Sequence, residues 1–439
     1  MRTFLFSLLL VAVVPQPSSA EETSAPAIPS PLSMEKARDR ALAVDPRITA
    51  ARLRELASRQ AARAASADWL PSLVGNAVLV GTDGDENRIA AGGGLNNPII
   101  YDRGAFGLNM SWQLYDFGRT ANRVEAARLR TRAMTENIEV NRADVVLHVD
   151  EAFIDVLQAL AVQGVVEKAV AARKTLRDQV QVLVANSVKT ELDLALAESA
   201  LAEASLLRSR AINDEASARA RLGLLLGVHE NLTAPLIEPE LPVEEPMEAT
   251  PWIQRALASR PELKRLRLEH EVALRGSRAE KAGHYPVLNA MGAGGVVPER
   301  HERLAENYLV GGFNLSFPIF EGFRTDARLR EAELLAESAA KLVEAEEGKV
   351  TREVRTAVLD LANAHQRSRL AAKLREATSK AVRLAELKYS AGTVSVAETA
   401  QAQLQATAAE IGEVGARYGV HKAWTDLQYQ SGRLLKNAK

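Results

Sequence analysis

Hydrophobic and polar positions change their period twice along this chain, each time at the same kind of place. From Ala105 to Tyr115, Phe106, Leu108, Met110, Trp112 and Leu114 alternate with Gly107, Asn109, Ser111 and Gln113. That is the period-two signature of a strand with one apolar and one polar face. From Arg119 to about Val184 there is no proline, and Val145, Val149, Ala152, Val156 and Ala159 recur at intervals of 4, 3, 4 and 3. Such spacing is a coiled-coil seam. Val146, Phe153 and Leu160 form a second line at intervals of seven, so the helix is expected to have neighbours on two sides and to run for about 100 Å. Asn186-Ser187 marks a turn, and a return helix from about Thr190 to Leu226 stops at Gly227, a residue suited to a left-handed helix terminus.

The whole pattern then recurs. GLNMSWQLYDFGRTANRVEAARL, beginning at Gly107, aligns with GFNLSFPIFEGFRTDARLREAEL, beginning at Gly312, at an offset of 205 residues. The seam returns at Val350, Val354, Ala357, Leu361 and Ala364. Upstream, Ala41-Leu42, Pro46, Arg63-Ala64 and Pro71 return at Ala256-Leu257, Pro261, Arg278-Ala279 and Pro286 at an offset of 215. The larger upstream offset places an insertion in the first hairpin loop and spares the helices, which is how a structural repeat diverges. Strand meets helix at Phe117, Gly118 and Arg119 in the first copy and at Gly322, Phe323 and Arg324 in the second, with glycine and aromatic in swapped order. A glycine there permits a sharp bend, and the ring anchors it at an interface.

These patterns divide the chain. Residues 1–20 read as an export signal: Arg2, the apolar run Phe4 to Val14, then Ser18-Ser19-Ala20. Residues 21–32 read as a disordered leader. The first repeat covers 33–231, with a β-hairpin over about 72–116 and a helical hairpin over about 119–227. A proline-rich linker covers 232–250. The second repeat covers 251–439, with a β-hairpin over about 287–321 and a helical hairpin over about 324–432. Asp83 to Asn87 and Gly92-Gly93-Gly94 read as loop, and Gly292 to Gly295 as loop or strand glycines.

Composition sharpens the picture. Trp69, Tyr101, Phe106, Trp112, Tyr115 and Phe117 gather around the first hairpin, and Tyr285, Tyr308, Phe313, Phe317, Phe320 and Phe323 around the second. Aromatic residues at strand ends suit the girdles of an outer-membrane barrel. Two hairpins cannot close a barrel alone, and open strand edges are not tolerated in lipid. Three chains would supply twelve strands, an even number of the kind such barrels use. Net charge is −1, which gives no electrostatic case for nucleic acid. The sequence contains no cysteine, which excludes thiolate chemistry and disulfides as well as a lipid-modified N-terminal cysteine. Its seven histidines form no metal-spaced pair, and no nucleotide-loop or hydrolase motif occurs. No catalytic residue, cofactor or metal is expected, and the chain is read as a non-enzyme.

The doubled junctions SWQLYDFGRTANRV and SFPIFEGFRTDARL, the turn Tyr389-Ser390-Ala391-Gly392-Thr393 and the closing Leu222…Gly227 and Leu427…Gly432 pairs resemble the TolC outer-membrane factor family over about Ser33 to Gly432. That resemblance implies an α+β membrane protein: a homotrimer with a 12-stranded outer-membrane β-barrel, four strands per chain, continued by a long periplasmic α-helical barrel. It implies a passive exit duct of a tripartite efflux or type I secretion system, in the outer membrane of a Gram-negative bacterium. The expected partners are a periplasmic adaptor (membrane fusion) protein, an inner-membrane RND or ABC exporter and outer-membrane lipid, with no nucleic acid. It also places tip turns at Asn186, Ser187, Ala391, Gly392 and Thr393, and a constriction at Glu398, Gln401 and, in the first repeat, Asp193. Gln401 departs from members that carry a second acid there. A soluble periplasmic coiled-coil scaffold or adaptor is the alternative.

Overall fold

The computed structural model describes residues 30–80, 88–90, 99–101, 103–228, 232–242, 248–300 and 305–435. The expected export signal, most of the expected leader and the loop glycines Gly92, Gly93 and Gly94 lie outside the described residues.

The chain is built twice from one set of elements. The first repeat comprises α1 (Met34–Val44), α2 (Pro46–Ser66), a 3-10 turn (Ala67–Trp69), β1 (Ser72–Val80), β2 (Arg88–Ala90), β3 (Ile99–Tyr101), β4 (Arg103–Tyr115), α3 (Arg119–Ala185) and α4 (Glu191–Leu225). The second comprises α5 (Ala249–Ser259), α6 (Pro261–Lys281), a 3-10 turn (Ala282–His284), β5 (Val287–Arg300), β6 (Asn307–Ser316), α7 (Arg324–Ser390) and α8 (Val396–Gln430). Corresponding helices have equal lengths: 11, 21, 67 and 35 residues in both repeats. Local chemistry sets their ends. Ser33 accepts from the Lys36 amide, and Asp45 accepts from the Arg47 amide with Pro46 opening α2. A capping oxygen followed by proline at the first helical position is a strong start signal.

Leu32 departs from the expected leader. It is fully buried, bridges Leu236, donates its amide to the Pro235 carbonyl and accepts from the Ile237 amide, both at 2.9 Å. The linker is therefore tied to the start of the first repeat. Arg219 holds the Leu232 and Ala234 carbonyls.

The long strands form one antiparallel sheet in the order β1-β4-β5-β6. Ser111 faces Met291, and Asn289 faces both Gln113 and Asn314. One sheet face therefore gathers Asn76, Asn109, Ser111, Gln113, Asn289, Asn314 and Ser316. The other carries Leu73, Leu79, Phe106, Leu108, Phe313 and Leu315, all exposed. β2 and β3 pair separately within the first hairpin loop, where the sequence reads as loop alone; three-residue strands are too short to display a period. Gly292 to Gly295 lie within β5.

The largest apolar cluster joins Val145, Val149, Phe153 and Val156 of α3 to Ala37 and Ala41 of α1, Leu222 at the end of α4 and Tyr418 of α8. Of the two lines that the period predicts on α3, Val145, Val149, Ala152 and Val156, and Val146 and Phe153, are buried, while Ala159 and Leu160 are half-buried. A second cluster joins Ala357 and Leu361 of α7 to Val420 and Leu427 of α8. On α4, Ala197, Ala204, Ala211 and Ala218 are buried at every seventh position, so small side chains let α3 and α4 approach closely. No described helix is long and apolar enough to cross a membrane.

Candidate channel elements: the junctions and the tip turns

At both junctions two successive residues adopt positive φ: Phe117 at 55° and Gly118 at 87°, then Gly322 at 60° and Phe323 at 62°. The backbone makes the same left-handed pair of steps in each repeat, so the swapped order of glycine and aromatic leaves its course unchanged. The first junction is braced by Asp116, which is buried. Its carboxylate accepts from the Gly118 amide at 3.1 Å, the Thr120 amide at 2.6 Å and Gln113 Nε2 at 2.8 Å. These bonds satisfy amides that the start of α3 leaves without helical partners. Phe117 stacks on Tyr285 with ring centroids 5.0 Å apart. At the second junction Glu321 stands in place of Asp116 and accepts from Thr325 Oγ1 at 2.7 Å, while Phe320 and Phe323 lie exposed, edge to face. Arg119 and Arg324 open the two long helices.

The tip turns share one geometry. Ser187 follows the Asn186 cap with φ 59°, and Gly392 follows the Ala391 cap with φ 74°. The Ser187 amide donates to the Val184 carbonyl and the Val188 amide to that of Leu183; Gly392 and Thr393 donate likewise to Tyr389 and Lys388. This double closure ends helices through a left-handed residue. Thr190 then caps α4 in a reciprocal box with Asp193, and Ser395 caps α8 by accepting from the Glu398 amide at 3.2 Å.

The three candidate constriction residues therefore differ in their surroundings. Asp193 spends its carboxylate on the Thr190 amide and hydroxyl, at 3.1 and 2.8 Å. The amide bond first, then the hydroxyl bond, hold it below the usual carboxylate range. Glu398 and Gln401 are exposed, and among the described residues the Glu398 side chain makes no hydrogen bond or ion pair. The two hairpin ends meet through Leu176, Val180, Ala197 and Val396, with Tyr389 packed against them. Lys189 Nζ lies 5.4 Å from the Tyr389 ring centre, within cation–π range. Burial first, then the Asp193 charge, push the Tyr389 hydroxyl up. Nothing in the sequence pattern singles out this Lys189–Tyr389 contact, because its partners belong to different repeats.

Among the described residues no group of three or more acidic or histidine side chains could hold a metal ion. His148 is exposed, its Nδ1 2.5 Å from the Asp144 carbonyl.

A family profile described as outer membrane efflux protein matches residues 37–228 and 252–433. No curated protein matches the sequence. The fold resembles solved structures at low sequence identity. The Campylobacter jejuni CmeC outer membrane channel aligns at a TM-score of 0.77 and 16% identity, covering 92% of this chain and 88% of that one. The outer membrane protein VceC from Vibrio cholerae aligns at 0.79 and 17%, covering 91% and 96%. The open state of the Neisseria gonorrhoeae MtrE outer membrane channel aligns at 0.78 and 19%, covering 91% and 89%. With the family matched across both repeats, and with a sheet that exposes one apolar face running straight into long helices, the chain belongs to the outer membrane efflux protein family: it is an outer-membrane channel component of an efflux system, a passive channel and not an enzyme.

Proposed function

We propose that three copies of the chain close a 12-stranded barrel in the outer membrane and a helical barrel beneath it, forming a passive exit duct. The observation that carries this is the sheet. It has an exposed apolar face, an opposite face that gathers asparagine, serine and glutamine among smaller numbers of apolar residues, and, among the described residues, two unpaired edges, β1 and β6. Unpaired edges facing lipid are costly, and closure by further copies removes them. The polar face then lines water. A sequence without cysteine supports anchorage by the barrel alone, without a lipid.

The tip turns at Asn186-Ser187 and Ala391-Gly392-Thr393 face the periplasmic partners in this reading: an adaptor protein and an inner-membrane exporter of the RND or ABC class. Glu398 supplies one acidic ring at the mouth. Gln401 adds no charge, and Asp193 is occupied within its own turn. A single ring attracts cations only weakly compared with two.

Fractionation tests the assembly. The duct reading expects the protein in outer membranes, released only by detergent, as an oligomer whose band collapses on heating. Release without detergent as a monomer overturns it in favour of a periplasmic scaffold. Function is tested by oxidising paired cysteines introduced at Ser187 and Gly392: closure of the tip between copies arrests export, and unchanged export overturns the placement of the constriction.

A further inference from the structure

Glycine inside a strand packs nothing and costs chain entropy, and it marks places where something approaches the backbone closely. One row across the sheet carries two. Asn76 of β1 faces Gly107 of β4, Gly107 faces Gly295 of β5, and Gly295 faces Tyr308 of β6. Directly opposed residues share a face, and this row lies on the face that gathers Asn109, Ser111 and Gln113. A Cβ on Gly107 would overlap the Tyr308 hydroxyl and meet its Cζ at 3.3 Å, and a Cβ on Gly295 would meet the same hydroxyl at 2.8 Å. Tyr308 therefore lies along the sheet, reaching from its own strand past β5 to β4, in space that only glycine leaves free. A ring laid over a cross-strand glycine also shields the backbone that glycine exposes.

We infer that Gly107 and Gly295 are specificity-determining residues: they form a bed that holds the Tyr308 ring against the wall, and so fix how large a cargo leaves the duct at its outer end. The inference rests on the multi-copy barrel proposed above, which turns this face to water, and adds to it the residues that keep the exit clear. Tyr308 is the second residue of β6, at the end of the sheet away from the junctions. Among Tyr308, Val310, Gly312, Asn314 and Ser316, the residues of β6 on this face, it alone is aromatic. Phe313, on the other face of the same strand, is 77% exposed, whereas Tyr308 is 39% exposed. The phenylalanine stands free and the tyrosine is laid down.

The repeat shows that ring and bed go together. Gly295 opposite Tyr308 in the second hairpin corresponds, at offsets of 215 and 205, to Val80 opposite Arg103 in the first. Both members of the pair differ, so the second hairpin has the glycine where it has the ring. Gly312 repeats Gly107 at the offset of 205, yet a Cβ on Gly312 would meet nothing within 4 Å. The glycine that both hairpins carry is covered only where Tyr308 reaches it. Two of the four positions in the row thus lack a side chain, and the ring fills that hollow. A side chain at position 107 removes the room for the hydroxyl, and the ring must then lift from the wall into the passage, once in each copy.

The sequence contains no cysteine, so one introduced thiol reports without background. Ser111→Cys lies on the same face, about 13 Å further from the outer end. In the full chain in the outer membrane of intact cells, the quantity read is the ratio of its labelling rates by a bulky and a small maleimide added outside. Tyr308→Ala should raise that ratio by less than about twofold, because a ring already laid down obstructs little. Gly107→Ala, read in its heat-modifiable fraction, should lower the ratio at least about threefold, and adding Tyr308→Ala should restore it. Tyr308→Ala with Val310→Tyr disturbs no glycine and moves the ring to the row of Ala293 and Asn109, where side chains deny it a bed; this too should lower the ratio. A larger rise in Tyr308→Ala would mean that the ring stands in the passage. An unchanged ratio in Gly107→Ala or in the Val310→Tyr variant, or a fall that Tyr308→Ala fails to restore, would place the limit on cargo size elsewhere. Each of these results overturns the inference and leaves the barrel standing. Failure of the small maleimide to reach Ser111→Cys from outside overturns the water-lined barrel itself.

Discussion

Ser187 occupies a position that the other long-helix ends give to glycine. Gly227, Gly392 and Gly432 have φ of 64°, 74° and 68°, and each is followed by the same amide-to-carbonyl closure. A side chain in this conformation costs about 1–2 kcal/mol, partly offset by the extra freedom glycine has when unfolded. Ser187→Gly should therefore stabilise the first tip turn by about 0.5–1 kcal/mol, read as slower hydrogen exchange around 182–194. Gly392→Ala should loosen the second turn by a similar amount. In the sheet, a Cβ on Gly107 would overlap the Tyr308 hydroxyl, and a Cβ on Gly295 would overlap the Phe106 carbonyl oxygen. One obstacle is a side-chain tip and the other is backbone. Gly107→Ala should lower the yield of folded, heat-modifiable protein and be rescued by Tyr308→Ala. Gly295→Ala should not be rescued by that change; rescue of both would place the Gly295 obstacle in the Tyr308 ring instead.

At the scale of elements, period and repetition carried most of the architecture. The unbroken run from Arg119 and the seam residues Val145 to Val156 point to α3 because burial enforces spacing, and spacing is visible in one dimension. The identical helix lengths follow from two constant offsets. Contacts between distant segments leave no such trace. Arg38 grips Asp150 through Nε and Nη2, both at 2.6 Å, with Asp150 fully buried. Burial raises that carboxyl and Arg38 opposes the shift. Neither residue has a counterpart in the second repeat, where Ile253 and Arg355 stand, so the repeat could not announce the pair. The charges at the start of α2 and α6 are likewise inverted: Asp45 binds Arg47 in one repeat and Arg260 binds Glu262 in the other. Identity matching passes over both cases. The candidate site was legible at its turns, where backbone geometry demands glycine or a cap, and illegible at Lys189–Tyr389, where the repeats touch. Removing one partner of a buried pair strands the other charge, so Arg38→Met should cost about 3–5 kcal/mol. Arg38→Met with Asp150→Leu should recover most of it, measured as the midpoint of heat-induced loss of the oligomer. A double variant no better than the single would mean that the pair positions α1 rather than merely neutralising itself.

At the scale of the whole molecule, the segments that join the repeats meet at one place. Leu32, the linker residues around Leu236, α1, the end of α4 and α8 converge there, so this region fixes how the two helical hairpins stand side by side. Tyr418 of α8 donates to Glu238 of the linker at 2.9 Å, and Arg417 pairs with the same carboxylate at 3.2 Å. His421 is buried beside them. Burial first depresses its pKa below the ordinary histidine value, Glu238 opposes the shift, and Arg417 adds to it. The sign of the consequence follows from proton counting. Below the unfolded value of 6.5 the unfolded chain binds a proton that the folded chain resists. Stability from this residue is therefore full above that value and is lost as pH falls from it toward the depressed folded value. The assembled channel should then lose thermal stability as pH drops below about 6.5. His421→Phe, which keeps a ring in the cluster but cannot titrate, should flatten that part of the profile and leave the loss below about pH 5, where carboxylates protonate. An unchanged profile in His421→Phe would assign the pH response to the carboxylates instead.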